Sequence, residues 1–427
     1  MKGNRLTQYI LAAMVLGIIV GHICNTTAAT PEAAKEIASW FNVVTDLFLR
    51  LIKMIIAPLV FSTIVSGIAG TGDSKAVGRI GVKALGWFLT ASLLSLLLGM
   101  LCVNLMQPGV GLSLPLPEAG ASSGISGKAM DLKSFITGIV PKSFFDALAN
   151  NNILQILVFS TFFGLGLSAY REQIGKELIR TRQIQELAHV MLKVTDYVMR
   201  LSPLGVFAAI ASCITLQGLG VLLTYGKFMG GFYASLLLLW MLLIFAGYLF
   251  LGKSVFTLLK LVKEPTILAF STASSEAALP KTLEGLEKFG VKERISGFVL
   301  PLGYSFNLDG SMIYQAFATI FIAQAYNIPL TMTQQVTMLL VMMLTSKGIA
   351  GVARASLVVI AATLPMFNLP EAGLLLIMGI DQFLDMGRTA TNVIGNSIAT
   401  AVVAKWEGDL GEPTDTLIRD AELDAEA

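Results

Sequence analysis

Long apolar segments recur along this chain and leave little room for a fold that faces water. Residues 228–252, which contain the run LLLLWMLLIF, are the clearest example. A helix needs about 20 predominantly apolar residues to cross the hydrocarbon core of a bilayer. Further segments of this kind lie near 8–24, 40–69, 80–106, 145–169 and 195–220. A more irregular apolar half follows over 264–405. The pattern predicts an all-α integral membrane protein.

The composition excludes several other classes of protein. Only 14% of the 427 residues are charged, against about 25% in soluble domains. The net charge of +2 and the lack of a basic run argue against a nucleic-acid partner. Three cysteines and two histidines lie far apart in the sequence. Their spacing predicts neither a disulfide framework nor a metal enzyme.

The N-terminal region has features of both a signal peptide and a membrane helix. Lys2 and Arg5 precede the apolar run 10–21, and small residues follow it, as in a secretory signal peptide. We expect instead a first transmembrane helix that stays attached, because cleavage would leave the later segments without a cytoplasmic start.

The placement of basic residues orients the predicted helices. Lys and Arg are concentrated in the connections 70–83, 170–182, 253–263 and 281–294. The intervening connections with at most one Lys or Arg are 25–39, 216–227 and 326–332. Basic connections stay in the cytoplasm under the positive-inside rule. Eight spans would then place both termini in the cytoplasm.

Two segments in the second half do not read as simple spans. Pro265–Pro280 is polar at its centre and has basic connections on both sides. Thr331–Pro365 has apolar arms around a broken centre, TSKGIAG. A segment with the same side of the membrane at both ends must enter and turn back, so we predict two re-entrant hairpins. The alternative is two poorly apolar helices in surface loops.

The segment 370–405 concentrates polar groups in an apolar helix. Charged groups at membrane depth are costly and usually mark function. The polar residues step by four, three, four and four positions, which places them on one helix face: Asp381, Asp385, Arg388, Asn392 and Asn396. This stripe predicts a ligand site. The alternative is a structural Asp–Arg pair that joins helices.

A polar turn inside the apolar segment 297–325 is a candidate cation site. Gly303 and Gly310 allow the helix to unwind and free its carbonyl groups. Asn307 and Asp309 add oxygen ligands of the kind that a hard cation such as sodium prefers. The alternative is ordinary turn chemistry, in which an Asn-x-Asp-Gly sequence is common.

Four motifs occur in the order that one transporter family uses: STASSEAALP at 271–280, NLDGS at 307–311, TSKGIAG at 345–351 and DMGRTATN at 385–392. With them the chain resembles the dicarboxylate/amino acid:cation symporter family, and within it the bacterial proton/sodium-glutamate symporters. The resemblance extends from 51–70 to 404–406. It implies the glutamate-transporter elevator fold, with eight transmembrane helices plus two re-entrant hairpins, in a homotrimer. A multi-pass protein of the bacterial inner membrane is expected.

The resemblance also divides the chain. It implies a scaffold formed by residues 1–79 and mostly by 145–252, and a transport domain formed by 80–106 and 264–406. The Pro-, Gly- and Ser-rich stretch 107–144 would be an extracellular loop, and 407–427 a cytoplasmic tail. Only the transport domain would move across the membrane.

Site residues follow from the same resemblance. Arg388 would bind the side-chain carboxylate of the substrate, and Asp385 its α-amino group. The other expected substrate-binding residues are Ser275, Ser311, Gly351, Thr389 and Asn392. The expected cation-binding or proton-coupling residues are Ser92, Glu276, Gly303, Ser305, Asn307, Asp309 and Asn396, with possible sodium at Asn307 and Asp309. The expected gate residues are Ser346, Gly348, Ala350 and Arg354.

Some positions depart from the pattern of sodium-driven archaeal members. Ala273, Glu276 and Asn396 stand where those proteins have Arg, Ser and Asp. Phe88 and Ala91 replace a Tyr and a Thr associated with a sodium site. These changes leave the coupling ion open between protons and sodium, with Glu276 as a candidate proton carrier.

The predicted function is secondary symport of glutamate or aspartate, with no cofactor beyond the coupling ions. A C4-dicarboxylate symporter is the alternative within the family, and an ion channel the alternative from another class. A membrane hydrolase is disfavoured, because no His accompanies a Ser or Cys motif.

Overall fold

The computed structural model describes residues 3–71, 74–111, 137–174, 179–219, 225–346, 355–378 and 380–413. Within these ranges the regular structure is helical, apart from one isolated β-bridge between Val291 and Leu410. Among the described residues, five helices are long and apolar enough to cross a membrane. A sixth candidate is a pair of helices, Glu186–Met199 and Ser202–Gln217, bent by 52° at the break.

The helices of the first half are α1 Gly3–Thr27, α2 Pro31–Thr71, α3 Ser74–Met106, α4 Phe144–Ala149, α5 Ile153–Ile174, α6 Ile179–Met199, α7 Ser202–Gln217 and α8 Gly226–Leu251. Those of the second half are α9 Ser254–Leu261, α10 Lys263–Thr272, α11 Ser275–Lys288, α12 Glu293–Phe306, α13 Asp309–Ala325, α14 Met332–Thr345, α15 Ala355–Thr363, α16 Leu374–Met378 and α17 Asp381–Glu407. Short 3₁₀ turns at Leu364–Phe367 and Glu371–Gly373 connect α15 to α16.

The helices pack in two groups. In the first, α1 and α2 pack on α7, and α2 also packs on α5 and α6. In the second, α3, α8, α10, α12 and α13 surround α17. The groups meet where α2 packs against α11 and α12.

Helix α8 belongs to the second group by its contacts. It packs against α17 and α3, and its Phe228 ring lies 5.5 Å from that of Phe317 and 4.3 Å from that of Phe321 in α13. This grouping differs from the expectation that 145–252 is mostly scaffold. The aliphatic residues of this helix carry little sequence signal of its neighbours, because lipid and protein favour the same side chains.

The predicted first hairpin is a helix–break–helix unit. Helix α10 ends at Thr272, and Ala273 adopts a left-handed conformation with φ of 50°. The Ser274 hydroxyl then caps α11 by accepting a hydrogen bond from the Ala277 amide. A serine cap satisfies one of the amide groups that a new helix leaves without a partner.

The predicted second hairpin has the same plan in its described parts. The Thr331 and Gln334 side chains form a capping box at the start of α14. Helices α14 and α15 pack on each other and on α13. The residues between them, 347–354, lie outside the described ranges. Of the expected gate residues, Gly348, Ala350 and Arg354 fall there, as does the expected substrate-binding residue Gly351.

A C-terminal clasp, residues 406–411, binds the end of α17 to two other segments. Glu407 forms ion pairs of 2.7 Å with Arg79 and 2.6 Å with Lys83 at the start of α3. Asp409 pairs with Lys292 at 2.8 Å and with Arg294. The β-bridge from Leu410 to Val291 completes the clasp. It therefore ties α17 to α3 and to the turn before α12.

Candidate substrate and cation site

Helix α17 carries the polar stripe into the interior of the second group. Asp381, Arg388 and Asn396 are each 1% exposed, and Asn392 and Thr389 are each 4% exposed. Because ionised side chains with so little access to water need partners, the contacts of this stripe decide what the site can bind.

The Arg388 guanidinium is held from three directions. It forms ion pairs with Asp385 at 2.9 Å and with Asp381 at 3.2 Å. It also lies over the Tyr314 ring of α13, 4.1 Å from the centroid, which is a cation–π geometry. The Tyr314 hydroxyl donates to Asp381 at 3.2 Å, so the tyrosine orients one of the two carboxylates.

Asp385 is the more accessible of the two acidic partners. Its side chain is 29% exposed, whereas that of Asp381 is 2% exposed. The Thr389 hydroxyl donates to the same Asp385 oxygen at 3.4 Å. Asp385 is therefore the accessible side of this charged cluster, and Asp381 and Tyr314 are on its buried side.

The polar turn between α12 and α13 lies against the same face of α17. The helix breaks after Phe306 and starts again at Asp309. The Gly310 amide at the start of α13 donates to Asn392 Oδ1 at 2.8 Å. This bond joins the two motifs NLDGS and DMGRTATN, which are 82 residues apart at the bonded positions.

Asn307 connects the remaining oxygen ligands. Its Nδ2 donates to Asp309 Oδ2 at 3.1 Å and to Asn396 Oδ1 at 3.2 Å, and its backbone amide donates to the Gly303 carbonyl at 2.7 Å. Asn307 and Asp309 are 0% exposed. Among the residues that the structure describes, Asn307 Oδ1 has no hydrogen-bond donor. A buried amide oxygen left open beside a carboxylate suits a dehydrated cation.

Glycines allow this close approach. A Cβ atom at Gly303 would collide with Asn396 Oδ1, and one at Gly395 would collide with Asp309 Oδ2. The oxygen cluster between α12, α13 and α17 therefore depends on glycine at both positions.

Other expected site residues lie near this centre or in the first turns of its helices. Ser92 is buried in α3, and its hydroxyl lies 3.5 Å from the Phe306 carbonyl at the helix break. Ser305 is 2% exposed. The Ser346 hydroxyl donates to the Met343 carbonyl at 3.1 Å and lies 3.5 Å from Met312 Sδ in α13. Ser275 and Ser311 are half-buried in the first turns of α11 and α13.

Glu276 lies apart from the arginine. It occupies the first turn of α11, and the cation that acts on it electrostatically is Lys53 of α2. Arg388 instead forms its ion pairs with two residues of its own helix, Asp381 and Asp385.

The model of the sodium:dicarboxylate symporter family matches residues 6–406. The chain belongs to this family. It is accordingly a cation-coupled symporter, a multi-pass membrane protein and not an enzyme.

Relatives within the sodium:dicarboxylate symporter family carry two kinds of name. The chain is 42% identical over 429 residues to a C4-dicarboxylate transport protein of Leptothrix cholodnii, covering 98% of this chain and 92% of the relative. It is 40% identical over 419 residues to a proton/sodium-glutamate symport protein of Bacillus caldotenax, covering 96% and 97%. A C4-dicarboxylate transport protein of Citrifermentans bemidjiense is 40% identical over 437 residues, with 100% and 97% coverage. Overall identity therefore does not separate the two substrate classes.

The structure adds residues around this candidate site that sequence reasoning missed. Tyr314 of α13 holds Arg388, as described above. From α8, Trp240 Nε1 donates to Thr391 at 2.7 Å, and the Tyr233 hydroxyl donates to the Phe383 carbonyl at 2.5 Å. Tyr and Trp seven positions apart lie on one helix face, and their polar ends need partners when buried. That spacing was the available signal.

Proposed function

We propose that this symporter takes up glutamate or aspartate, driven mainly by protons, through an elevator-type alternating-access cycle. The observation that carries the proposal is the arrangement around Arg388, where one cation lies between two carboxylates in a site shielded from water. The relatives named as proton/sodium-glutamate symport proteins support it.

The charges of the site favour a substrate with an ammonium group. Asp381, Asp385 and Arg388 together carry one net negative charge. An acidic amino acid offers a carboxylate that fits the planar arginine fork and an ammonium that neutralises Asp385. A C4-dicarboxylate would bring two negative charges and no ammonium to a cluster that is already negative, and electrostatic repulsion would disfavour its binding.

Competition for uptake tests the substrate class. Labelled aspartate is taken up into proteoliposomes while unlabelled glutamate, succinate, malate or serine is added. We expect glutamate to compete. Succinate, malate and serine should compete at least tenfold less well, because each lacks one charged group that the site matches, and this loss of binding free energy should exceed about 1.4 kcal/mol. Succinate that competes as well as glutamate would establish the C4-dicarboxylate alternative.

The oxygen cluster favours protons over several sodium ions. Asn396 supplies an amide where a carboxylate would offset the cost of dehydrating sodium, and its oxygen already accepts from Asn307. Phe88 and Ala91 offer no side-chain oxygen. Asn307 and Asp309 remain for one cation, and Glu276 is the carboxylate that takes up and releases the proton.

Proton and sodium gradients that are imposed separately test which ion drives uptake. We expect an inward proton gradient alone to drive concentrative glutamate uptake in sodium-free proteoliposomes. Glu276→Gln should abolish that drive and leave glutamate–glutamate exchange intact. Uptake that requires sodium and ignores the pH gradient would refute proton coupling, and solute flow that only dissipates a gradient would indicate a channel.

The proposed architecture has eight transmembrane helices and two re-entrant hairpins, α10–α11 and α14–α15, in a homotrimer with both termini in the cytoplasm. By its contacts we place α8 in the moving unit with α3 and α10–α17, while α1, α2 and α5–α7 form the scaffold. A cysteine introduced at Glu412 should react with an impermeant thiol reagent only from the cytoplasmic side. Crosslinking of the reconstituted protein should yield trimers.

A further inference from the structure

A cavity of about 480 Å³ lies between α2, α4 and α6, apart from the candidate substrate site. Apolar side chains make up most of its wall, among them Phe61, Phe144 and Leu187. Two polar side chains, Lys53 and Asn151, also line it. A cavity with a largely apolar wall and a few polar groups suits a ligand that has an apolar body and a polar end.

Lys53 brings a positive charge to this cavity. Its side chain is exposed. Among the described residues, no carboxylate forms an ion pair with its ammonium group. A cation beside apolar side chains in a membrane helix is costly without a partner, and an anionic group on a ligand would supply that partner.

Asn151 brings a hydrogen-bond acceptor to the same cavity. It lies in the turn after α4, where its backbone amide donates to the Leu148 carbonyl at 3.2 Å and its φ of 51° is left-handed. Its Oδ1 atom is buried and accepts no hydrogen bond from the described residues. A buried acceptor costs free energy until a donor reaches it, so a hydroxyl group on the ligand fits here.

The two polar side chains lie at the same end of two apolar runs. Residues 54–70 follow Lys53 in α2, and the apolar span Ile153–Tyr170 begins just after Asn151. Both runs lead to basic connections, 70–83 and 170–182. Helix α2 rises about 27 Å between Lys53 and its end at Thr71, close to the thickness of the hydrocarbon core. The polar end of the cavity therefore fits the membrane boundary opposite those connections.

Aromatic rings continue the apolar wall toward the interior of the bilayer. Phe61 lies two helical turns beyond Lys53, a rise of about 12 Å. Its ring is 5.2 Å from that of Phe144 and 5.8 Å from that of Phe163, and Phe163 is 43% exposed. An acyl chain that starts at the polar end can lie along these rings and continue into the surrounding lipid.

We propose that this cavity binds an anionic glycerophospholipid whose headgroup carries a hydroxyl group, as in phosphatidylglycerol. The Lys53 ammonium binds the phosphate, the headgroup hydroxyl donates to Asn151 Oδ1, and one acyl chain lies against Phe61 and Phe144. Phosphatidylcholine has the phosphate but is neutral overall and has no hydroxyl donor. The inference is independent of the transported substrate and of the coupling ion.

Native mass spectrometry of the purified, delipidated full chain tests the ligand class. Phosphatidylglycerol and phosphatidylcholine are titrated separately, and glycerol phosphate serves as the headgroup without acyl chains. We expect one tightly bound phosphatidylglycerol per chain, phosphatidylcholine to bind at least tenfold more weakly, and glycerol phosphate not to bind. Equal binding of the two lipids, or binding of glycerol phosphate with the affinity of the lipid, would overturn the inference.

Variants of the two polar side chains test the contacts. Lys53→Met should weaken phosphatidylglycerol binding about tenfold, because a charge-assisted hydrogen bond is lost, and Lys53→Arg should retain it. The control Lys35→Met removes an exposed lysine of the same helix outside the cavity. Asn151→Gly permits the left-handed backbone, removes the acceptor and should weaken binding about threefold. Its control is Asn327→Gly, at an asparagine with φ of 53° elsewhere in the chain.

The same spectra report the oligomeric state and so identify another occupant. If a second copy of the chain fills the cavity, Lys53→Met would alter subunit association and leave phosphatidylglycerol binding unchanged. That result would overturn the inference, as would equal effects of Lys53→Met and Lys35→Met on lipid binding.

Discussion

At the scale of single residues, Arg388 shows how this symporter accommodates a buried charge. Its removal from water is offset by Asp381, Asp385 and the Tyr314 ring. Buried ion pairs are poor sources of stability, because desolvation cancels much of the attraction. A cation with two carboxylates, one of them 29% exposed, can exchange part of its contact with Asp385 for a substrate carboxylate.

Substitutions of Arg388 should therefore affect binding more than folding. Arg388→Cys removes the cation and should abolish uptake of acidic amino acids. Arg388→Lys keeps the charge without the planar fork and should raise the apparent KM at least tenfold, since charge-assisted bidentate bonds exceed 1.4 kcal/mol. The control is Arg200→Lys, an exposed arginine that also lies over a tyrosine ring. Uptake kinetics in proteoliposomes would measure both, and an unchanged KM in Arg388→Lys would contradict the assigned role.

The polar half of this site was predictable from sequence and the aromatic half was not. Polar groups in an apolar helix stand out, so the stripe on α17 and the turn at 307–309 could be found. Tyr314 lies in an apolar helix where an aromatic side chain reads as ordinary core. Its partnership with Arg388 depends on how α13 packs on α17, which a single sequence does not encode locally.

At the scale of elements, the C-terminal half of α11 carries charged side chains on a helix that packs against α6 of the other group. Burial, together with the neighbouring Glu293 carboxylate, raises the pKa of Glu287 to about 7. His189 of α6 acts on it in the opposite direction. Glu284, one turn away, behaves differently: burial opposes ionisation there, but hydrogen bonds from Lys281 and Lys288 lower its pKa overall.

Glu287 and Glu284 should change the free energy of unfolding with pH in opposite directions. The folded state favours protonated Glu287, so its contribution is full below the unfolded pKa near 4.5 and is lost as pH rises through about 7. Glu287→Gln should abolish a fall in stability of about 1–3 kcal/mol across this window. Glu284→Gln, the control, should lose stability at neutral pH, because two lysines lose their partner. Thermal unfolding of the purified protein at pH values on either side of neutrality measures both. If the stability of Glu287→Gln fell with rising pH as steeply as that of the wild type, Glu287 would not be the group responsible.

At the scale of the whole molecule, sequence indicated the membrane helices better than their grouping. The apolar segments near 8–24, 80–106 and 228–252 correspond to the spans of α1, α3 and α8. Burial in lipid sets the length of such helices, and length is local information. The position of α8 beside α17 depends on contacts at Tyr233 and Trp240, which arise only after folding.

The clasp is expected to hold the C-terminal end of α17 against α3 and against the turn before α12. Two backbone hydrogen bonds accompany its ion pairs. The Gly411 amide donates to the Gly290 carbonyl at 2.8 Å, and the Lys292 amide donates to the Asp409 carbonyl at 3.2 Å. Asp409→Asn should weaken it by about 1 kcal/mol, because the released Lys292 and Arg294 regain hydration. Hydrogen exchange at Gly411 and Lys292 should then accelerate about fivefold. The control Glu412→Gln removes a charge from an exposed neighbour and should not change hydrogen exchange at these amides. Equal effects of the two substitutions would contradict a stabilising role of the Asp409 ion pairs.

The clasp also has a consequence for biosynthesis. Its residues leave the ribosome after helices α1–α16 of the described part of the chain, whereas their partners Arg79, Lys83, Lys292 and Arg294 are made much earlier. The ion pairs of these four cations with Glu407 and Asp409 can therefore form only after the intervening helices are made. The clasp can close only once α17 has been synthesised, so its formation marks a late step in the assembly of the second helix group.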